Sequence, residues 1–186
     1  MRISLPNSNT FSKVFFQSLG KEIDDQIKGI ATDSREVQSG DLYIAIPGEN
    51  VDGHSFLKEV FIAGASAALV SSPNDDLKGS QIIVDNTIEA IGKVATKWRE
   101  QYQIPIIGIT GSNGKTSTKE LLRHVLSSKF DIHATEGNYN TSIGLPLTLL
   151  QLNAFHGASI LEMGANQKGD IDVLAKIAKP NYGLIT

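Results

Sequence analysis

Residues 108–120, "GITGSNGKTSTKE", join an apolar run on their N-terminal side to a helical pattern on their C-terminal side. The run "IPIIGIT", residues 104–110, predicts a buried strand. The helix after the loop is predicted to bury Leu121, Leu122, Val125 and Leu126. A loop between a buried strand and a helix N-terminus offers backbone N–H groups and the positive end of the helix dipole to an anion. The stretch therefore predicts a phosphate-binding loop.

The side chains of this loop fit a nucleotide. Gly111 and Gly114 let the backbone wrap a phosphate without a side-chain clash, Lys115 can reach the β- and γ-phosphates, and Thr116 can bind Mg²⁺. The usual pattern places a glycine where this chain has Ile109, so the match fails at one position. A glycine turn that only caps a helix is the alternative. The predicted ATP-binding residues are Thr110, Gly111, Ser112, Asn113, Gly114, Lys115, Thr116 and Ser117, with Lys115 as the catalytic residue.

Strand and helix patterns alternate on both sides of the loop, which predicts α/β units with parallel sheets. Before it, strands are predicted in "GDLYIAIPG", "SAALVS" and "QIIVD", with helices from "SFLKEVFIAGA" and after Asn86, which with Glu89 resembles a capping box. After it, "FDIHAT" and "ASILEMG" predict strands, and Asp170 is expected to cap a helix that stops before Pro180. We expect two domains, residues 1–101 and residues 102–186.

The last residues, "YGLIT", predict the start of a further strand. A domain that ends on the first residues of a strand predicts a truncated domain. On this interpretation the 186 residues alone should not complete a catalytic cycle.

Composition narrows the class of protein. The chain has 40% hydrophobic and 20% charged residues, as globular proteins do, and its net charge of −3 favours neither nucleic acid nor an anionic membrane as partner. It has no cysteine, which excludes disulfides and thiolate metal sites and fits a reducing compartment. No signal-peptide core and no run of roughly 18 apolar residues is present. We expect a cytoplasmic protein that does not insert into membranes.

The stretch "TGSNGKTSTKE" resembles the ATP loop of the Mur ligases and the related folylpolyglutamate synthases, whose pattern is T-G-x-N-G-K-[ST]. This resemblance accounts for the missing glycine. Residues 32–56, "TDSREVQSGDLYIAIPGENVDGHSF", resemble the nucleotide-sugar-binding N-terminal domain of Mur ligases. The stretches "GNYNTSIGLPLTLL" and "LEMGANQKGDI" are similar to the branch that adds D-alanyl-D-alanine. The branch that adds the third peptide residue has a Val-Ser-Ser-His run in place of "MGANQ".

The resemblance implies a small N-terminal α/β substrate domain followed by a truncated parallel-sheet domain that binds ATP. It also implies an ATP-dependent amide ligase of peptidoglycan synthesis, which adds D-alanyl-D-alanine to UDP-N-acetylmuramoyl-tripeptide through an acyl phosphate, with Mg²⁺. Three alternatives stay open: the ligase for the third residue, a folylpolyglutamate-type ligase, and a nucleotide-binding module without turnover.

The same resemblance assigns further residues. Glu162, at the end of a predicted strand, would hold Mg²⁺ together with Thr116. Gln167 stands where many family members have a metal-associated histidine, and its amide oxygen is only a weak ligand. His124 and His133 are expected on the surface and His156 in a loop, without chemical roles. The predicted substrate-binding residues are Asp33, Ser34, Arg35, Gly48, Asp52, Gly53, His54, Asn138, Asn140 and Thr141.

Overall fold

The computed structural model describes residues 1–23, 27–48 and 51–186. These residues divide into two compact units, Met1–Val94 and Ala95–Thr186. Glu49 and Asn50, which fall inside the stretch that resembles a nucleotide-sugar domain, lie outside the described residues. Among the described residues, no helix has the length and apolar character needed to cross a bilayer.

The first unit is built on one five-stranded sheet with the order β1-β2-β3-β4-β5. Strand β1 runs antiparallel to β2, and all other neighbours in this sheet are parallel. The elements are β1 (Arg2–Ser4), α1 (Ser8–Leu19), β2 (Gly29–Ala31), β3 (Asp41–Ile44), α2 (Leu57–Ile62), β4 (Ala67–Val70), β5 (Ser80–Ile83) and α3 (Thr87–Arg99). The predicted strands and helices of this half are all present, and β1, α1 and β2 are additional.

Helix α1 begins because the Asn7 side chain accepts a hydrogen bond from the Thr10 N–H, and it ends at Gly20 in the left-handed conformation. It buries Phe11, Val14 and Phe15. Every residue of β3 and β4 is buried, which explains why these strands read as continuous apolar runs.

Gly29 allows an ion pair to cross strand β2. The Arg2 guanidinium contacts the fully buried Asp41 carboxylate through two hydrogen bonds of 2.7 and 2.9 Å. A Cβ atom on Gly29 would lie 2.6 Å from Asp41 Oδ1 and 2.8 Å from an Arg2 nitrogen. A larger residue would therefore break the pair that links β1 to β3.

Helix α3 begins as predicted. The side-chain oxygen of Asn86 accepts hydrogen bonds from the N–H groups of Ile88 and Glu89, at 2.9 and 3.1 Å. The helix carries the chain from the first unit into the second, where its last turn buries Trp98. The indole N–H of Trp98 donates to the carbonyl oxygen of Leu152 at 3.1 Å.

The second unit is built on a four-stranded, fully parallel sheet with the order β7-β8-β6-β9. Its elements are β6 (Ile106–Thr110), α4 (Lys115–Leu126), β7 (Ile132–Ala134), α5 (Gly144–Leu149), β8 (Ala158–Glu162), α6 (Asp170–Ala178) and β9 (Tyr182–Ile185). The carboxyl ends of β6, β7 and β8 meet at one edge, where ligands of parallel sheets bind. Helix α5, whose six residues are all buried, was not predicted.

The prediction for the buried face of α4 was wrong at two positions. Leu121 is 68% exposed and Val125 is 64% exposed, whereas Lys119 is the buried residue of this helix. The buried face is shifted because Lys119 turns inward to polar partners beneath the helix.

Two further expectations need correction. His133 is not on the surface: it is buried in β7, between the Ser159 hydroxyl at 2.8 Å and the Thr148 carbonyl oxygen at 2.9 Å. Asp170 does not cap α6, whose N-cap is Gly169. Its carboxylate instead accepts hydrogen bonds from two backbone N–H groups of the preceding loop, which lowers the pKa of Asp170.

Candidate functional site

The loop after β6 has the backbone of an anion-binding turn. Gly111 has φ 142° and Gly114 has φ 80°, values that glycine adopts without strain. Gly114 is also the N-cap of α4, so the first N–H groups of this helix face the loop. Ile109, where the usual pattern has a glycine, is fully buried inside β6 and is therefore part of the strand rather than of the loop.

Lys115, the first residue of α4, folds back over the loop. Its ammonium group donates to the carbonyl oxygen of Gly111 at 2.7 Å. This contact holds the positive charge beside the loop. An incoming phosphate can replace the carbonyl as its partner.

A cavity of about 400 Å³ opens in front of the loop. It brings together most of the residues predicted to bind ATP and metal, two of the predicted substrate residues and Gly137. Its lining consists of Ser112, Asn113, Gly114, Lys115, Thr116, Ser117, Gly137, Asn138, Asn140 and Glu162. Thr110, the last residue of β6, and Gly111 are predicted ATP-binding residues that are not part of this lining.

Two oxygen-bearing side chains in this cavity suit a hard cation. The Thr116 hydroxyl lies 3.2 and 3.1 Å from the two carboxylate oxygens of Glu162. The Asn140 amide donates to Glu162 Oε1 at 3.4 Å. A hydroxyl and a carboxylate are ligands that Mg²⁺ accepts when phosphate oxygens and water complete its shell. Within the described residues, no group of three or more His, Cys, Asp or Glu side chains forms a separate metal cluster.

Two buried polar residues behind Glu162 were missed by sequence reasoning. The Lys119 ammonium lies 3.8 Å from Glu162 Oε2 and donates to the Thr135 carbonyl oxygen at 2.7 Å. The Thr135 hydroxyl accepts the backbone N–H of Glu162 at 2.9 Å. The spacing of Lys119, four residues after Lys115, places both lysines on one face of α4 and could have indicated this position.

Not every predicted residue of this region faces the cavity. The Thr141 hydroxyl accepts the Gly144 N–H at 3.3 Å at the start of α5. Gln167 is exposed, and its backbone N–H donates to the Asp170 carboxylate at 3.0 Å. These positions shape the neighbouring loops.

A second cavity, of about 610 Å³, lies in the first unit. It contains five of the substrate-binding residues predicted for this half. Its lining is Met1, Thr32, Asp33, Ser34, Arg35, Tyr43, Ile46, Gly48, Val51, Gly53 and Phe56.

Asp33 and Arg35 form a local ion pair at this cavity. Arg35 donates to both Asp33 oxygens at 2.9 and 2.6 Å, and its own backbone N–H adds a third hydrogen bond. The side-chain hydrogen bond from Arg35, followed by its backbone N–H, holds the pKa of the Asp33 carboxyl well below its usual range. The Arg35 side chain is 85% exposed, so its remaining N–H donors are open to a ligand.

His54 does not line this cavity but fixes the loop beside it. Its Nδ1 lies 2.7 Å from Asp52 Oδ1, and its Nε2 accepts the Ser71 backbone N–H at 2.9 Å. Because Nε2 accepts, the hydrogen must reside on Nδ1 and point at Asp52. The N–H groups of His54, backbone first, lower the pKa of Asp52. These contacts hold the Asp52 and His54 side chains in place beside the cavity.

Tyr43 supplies a hydroxyl to the same cavity. It donates to the Gly53 carbonyl oxygen at 3.1 Å. Burial, followed by the charges of Asp33 and Asp52, raises the pKa of Tyr43 to about 12, so its hydroxyl stays a donor across the physiological range.

Comparison with known proteins identifies both units. Residues 26–111 match the model of the Mur ligase family catalytic domain, and residues 109–186 match that of the Mur ligase middle domain. The UDP-N-acetylmuramoyl-tripeptide–D-alanyl-D-alanine ligase of Synechocystis is 44% identical over 188 residues, covering 100% of this chain and 41% of that protein. The chain thus spans about two fifths of the length of this curated relative.

Solved structures of Mur ligases have the same fold as this chain. A UDP-N-acetylmuramoylalanyl-D-glutamyl-2,6-diaminopimelate–D-alanyl-D-alanyl ligase from Acinetobacter baumannii superposes with a TM-score of 0.89 at 35% identity, over 98% of this chain and 42% of the other. The MurF ligase of Thermotoga maritima, solved in complex with ADP, superposes with a TM-score of 0.75 at 35% identity, over 81% of this chain and 35% of the other. Two adjoining domain matches, these relatives and the geometry of the phosphate loop agree, and we conclude that the chain belongs to the Mur ligase family.

Proposed function

We propose that this chain contributes the substrate and nucleotide sites of an ATP-dependent C–N ligase. The ligase would add D-alanyl-D-alanine to UDP-N-acetylmuramoyl-tripeptide in peptidoglycan synthesis. The observation that carries this proposal is the cavity in which Lys115, Thr116 and Glu162 face the same space. The names of the relatives and the ADP complex of one of them support the choice of substrates and nucleotide.

The mechanism follows from how this cavity can hold a triphosphate. The loop N–H groups and Lys115 would bind the β- and γ-phosphates and stabilise charge during phosphoryl transfer to the tripeptide carboxylate. The products of that step are an acyl phosphate and ADP. The amine of D-alanyl-D-alanine would then attack its carbonyl carbon, and inorganic phosphate would leave from the tetrahedral intermediate.

Thr116 and Glu162 would hold Mg²⁺, which supplies charge neutralisation between the phosphate oxygens. The role of Asn140 is to keep the Glu162 carboxylate directed at the Thr116 hydroxyl. Asn138 faces the same cavity and would contact the γ-phosphate or the muramyl group.

The cavity of the first unit would bind the UDP-muramoyl group. Ser34 and the free N–H groups of Arg35 are donors for a diphosphate or a uracil edge, and Gly48 and Gly53 allow a close approach of the ligand.

The proposal includes a division of the chain into a substrate domain, residues 1–101, and an ATP-binding domain, residues 102–186. A cytoplasmic location also belongs to it, because ATP and nucleotide-linked sugars are cytoplasmic metabolites.

The alternatives make different predictions. A folylpolyglutamate-type ligase would need a pterin site, and a module without turnover would need only nucleotide. The first-unit cavity and the stretch "GNYNTSIGLPLTLL" favour the muramoyl ligase that adds D-alanyl-D-alanine over both, and over the ligase for the third residue.

Thermal-shift titration of the chain tests the proposal. We expect UDP-N-acetylmuramoyl-tripeptide to raise the melting temperature in a saturable manner, and ADP with Mg²⁺ to do so independently. Folates should have no effect. A shift with folate, or with nucleotide but never with the muramoyl substrate, would contradict the assignment.

A further inference from the structure

Lys119 lies beside the candidate cation site but does not line the cavity that would hold the nucleotide. Only 3% of its surface is exposed, which is rare for a lysine unless it is paired. It follows the phosphate loop by one helical turn, so its backbone is fixed by the same helix that carries Thr116. Lys119 is not part of the cavity lining, and its ammonium group lies at the carboxyl ends of β7 and β8, close to the lining residue Glu162.

The partners of Lys119 come from three parts of the second unit. Its ammonium donates to the Thr135 carbonyl oxygen at 2.7 Å, lies 3.1 Å from Glu120 Oε1 and lies 3.8 Å from Glu162 Oε2. Thr135 is 1% exposed and binds the Glu162 backbone N–H through its hydroxyl. One ammonium group therefore connects α4 to the residue that follows β7 and to the last residue of β8.

Glu162 needs such a partner because its carboxylate is itself almost fully buried, at 3% exposure. A buried carboxylate without a compensating charge is strongly unfavourable. Thr116 and Asn140 contact it from the cavity side. Lys119 is the only cation that lies within 4 Å of the carboxylate in the described part of the chain.

We propose that Lys119 is a positioning residue that holds the Glu162 carboxylate, and the loop after Thr135, in the arrangement that accepts a divalent cation with the nucleotide. This inference rests on the proposed function, since it assumes that the cavity binds a nucleotide with Mg²⁺. Outer-shell partners of metal ligands commonly change metal affinity 10- to 100-fold when they are removed.

A purely electrostatic role for Lys119 predicts the opposite change in Mg²⁺ affinity when the residue is replaced. A positive ammonium near the carboxylate repels Mg²⁺, so a purely electrostatic role would make the cation bind more tightly when Lys119 is replaced. A positioning role makes it bind more weakly. The direction of the change therefore separates the two explanations.

The test measures ADP binding to the whole chain by calorimetry, in EDTA and across a Mg²⁺ series. For Lys119→Met we expect the Mg²⁺ concentration that gives half of the gain in ADP affinity to rise about 10-fold or more. ADP affinity in EDTA should stay within about twofold, because Lys119 does not line the cavity. Glu120→Gln, which removes the exposed partner of the same ammonium, serves as the matched control and should change little.

Lys119→Gln keeps a donor for the Thr135 carbonyl oxygen and provides a second variant if Lys119→Met does not fold. An unchanged or lower Mg²⁺ requirement in a folded variant overturns the inference. An equal loss of ADP affinity with and without Mg²⁺ also overturns it, because the residue would then support the loop in general. If the unmodified chain shows no Mg²⁺-dependent ADP binding, the proposed function fails first.

Discussion

Lys115 is the residue on which the nucleotide assignment can be tested most directly. Its ammonium already lies beside the loop, on the Gly111 carbonyl oxygen, and needs only a local movement to reach a phosphate. The sequence pattern predicted this position, because the glycines and the lysine follow a buried strand. The role of Lys119 was not predictable from that pattern, because its partners Thr135 and Glu162 come from distant parts of the sequence.

Replacing Lys115 by alanine should weaken ATP binding to the chain by about 10- to 100-fold. The variant loses a charge-assisted hydrogen bond worth about 1.5–3 kcal/mol. Calorimetric titration with ATP and Mg²⁺ provides the measurement. Lys129→Ala, an exposed lysine beyond the end of α4, is the control and should bind normally. Unchanged affinity in Lys115→Ala would remove this residue from the site.

Glu162→Gln separates a metal-binding role from a packing role. Glutamine keeps the size of the side chain and can still accept from Thr116, while Lys119 keeps Thr135 and Glu120 as partners. We expect the melting temperature to move little and the Mg²⁺ requirement for ADP binding to rise at least about 10-fold. A large loss of stability with the same Mg²⁺ dependence would show that the carboxylate is structural.

In the second unit, the periodicity of apolar residues predicts some strands and helices correctly and others not. Strands β6 and β8 were predicted correctly because apolar runs between glycine and proline signals are typical of buried parallel strands. The face of α4 was misjudged at Leu121 and Val125. Its apolar positions indicate more than one possible face, and the buried Lys119 decides between them. Helix α5 was missed because its apolar residues follow a polar loop and include Pro146.

His133, in strand β7, leads to a prediction of how the stability of the chain depends on pH. The Thr148 carbonyl can only accept, so the neutral His133 donates from Nε2 and receives the Ser159 hydroxyl hydrogen at Nδ1. Burial, followed by the nearby His156 ring, lowers the pKa of His133 to about 4. Between about pH 6.5 and pH 4 the unfolded chain therefore binds a proton here that the folded chain does not. Unfolding becomes more favourable as the pH falls through this window.

As the pH falls from 7 to 4, we expect the protonation of His133 in the unfolded chain to lower the free energy of unfolding by up to about 3 kcal/mol. Urea unfolding at several pH values would show a shallower pH dependence in His133→Asn than in the unmodified chain. The exposed His124→Asn is the control and should retain the steep dependence. Equal slopes in all three proteins would mean that His133 titrates normally.

The described residues form two units, Met1–Val94 and Ala95–Thr186, and each unit has an open cavity. The α/β class and the parallel sheets were predictable from the alternation of strands and helices. The antiparallel β1 was not, because three residues carry too little pattern to show a direction. The assignment of residues 33–35 to a substrate site depended on family resemblance, since a local turn explains the same three residues.

The chain covers only about two fifths of its Synechocystis relative, so we expect ligand binding without turnover from these 186 residues. Amide ligation requires the acyl phosphate and the attacking amine to be held together, and that positioning can supply several kcal/mol of the barrier reduction. Phosphate release with ATP, Mg²⁺, UDP-N-acetylmuramoyl-tripeptide and D-alanyl-D-alanine is the assay. Dipeptide-dependent release at an ordinary enzymatic rate would refute this expectation.

Met1 lies at the first-unit cavity, and Thr186 lies against the phosphate loop. The Met1 ammonium pairs with Glu36 at 2.9 Å, and Met1 lines the first-unit cavity. At the other end, the Thr186 backbone N–H donates to Thr110 at 2.9 Å, and a Cβ atom on Gly111 would overlap Thr186. A fluorescent dye coupled to the Met1 ammonium would therefore disturb the first-unit cavity that it is meant to report on. Coupling through an exposed lysine that lines neither cavity, such as Lys129, leaves the lining residues of both sites unmodified.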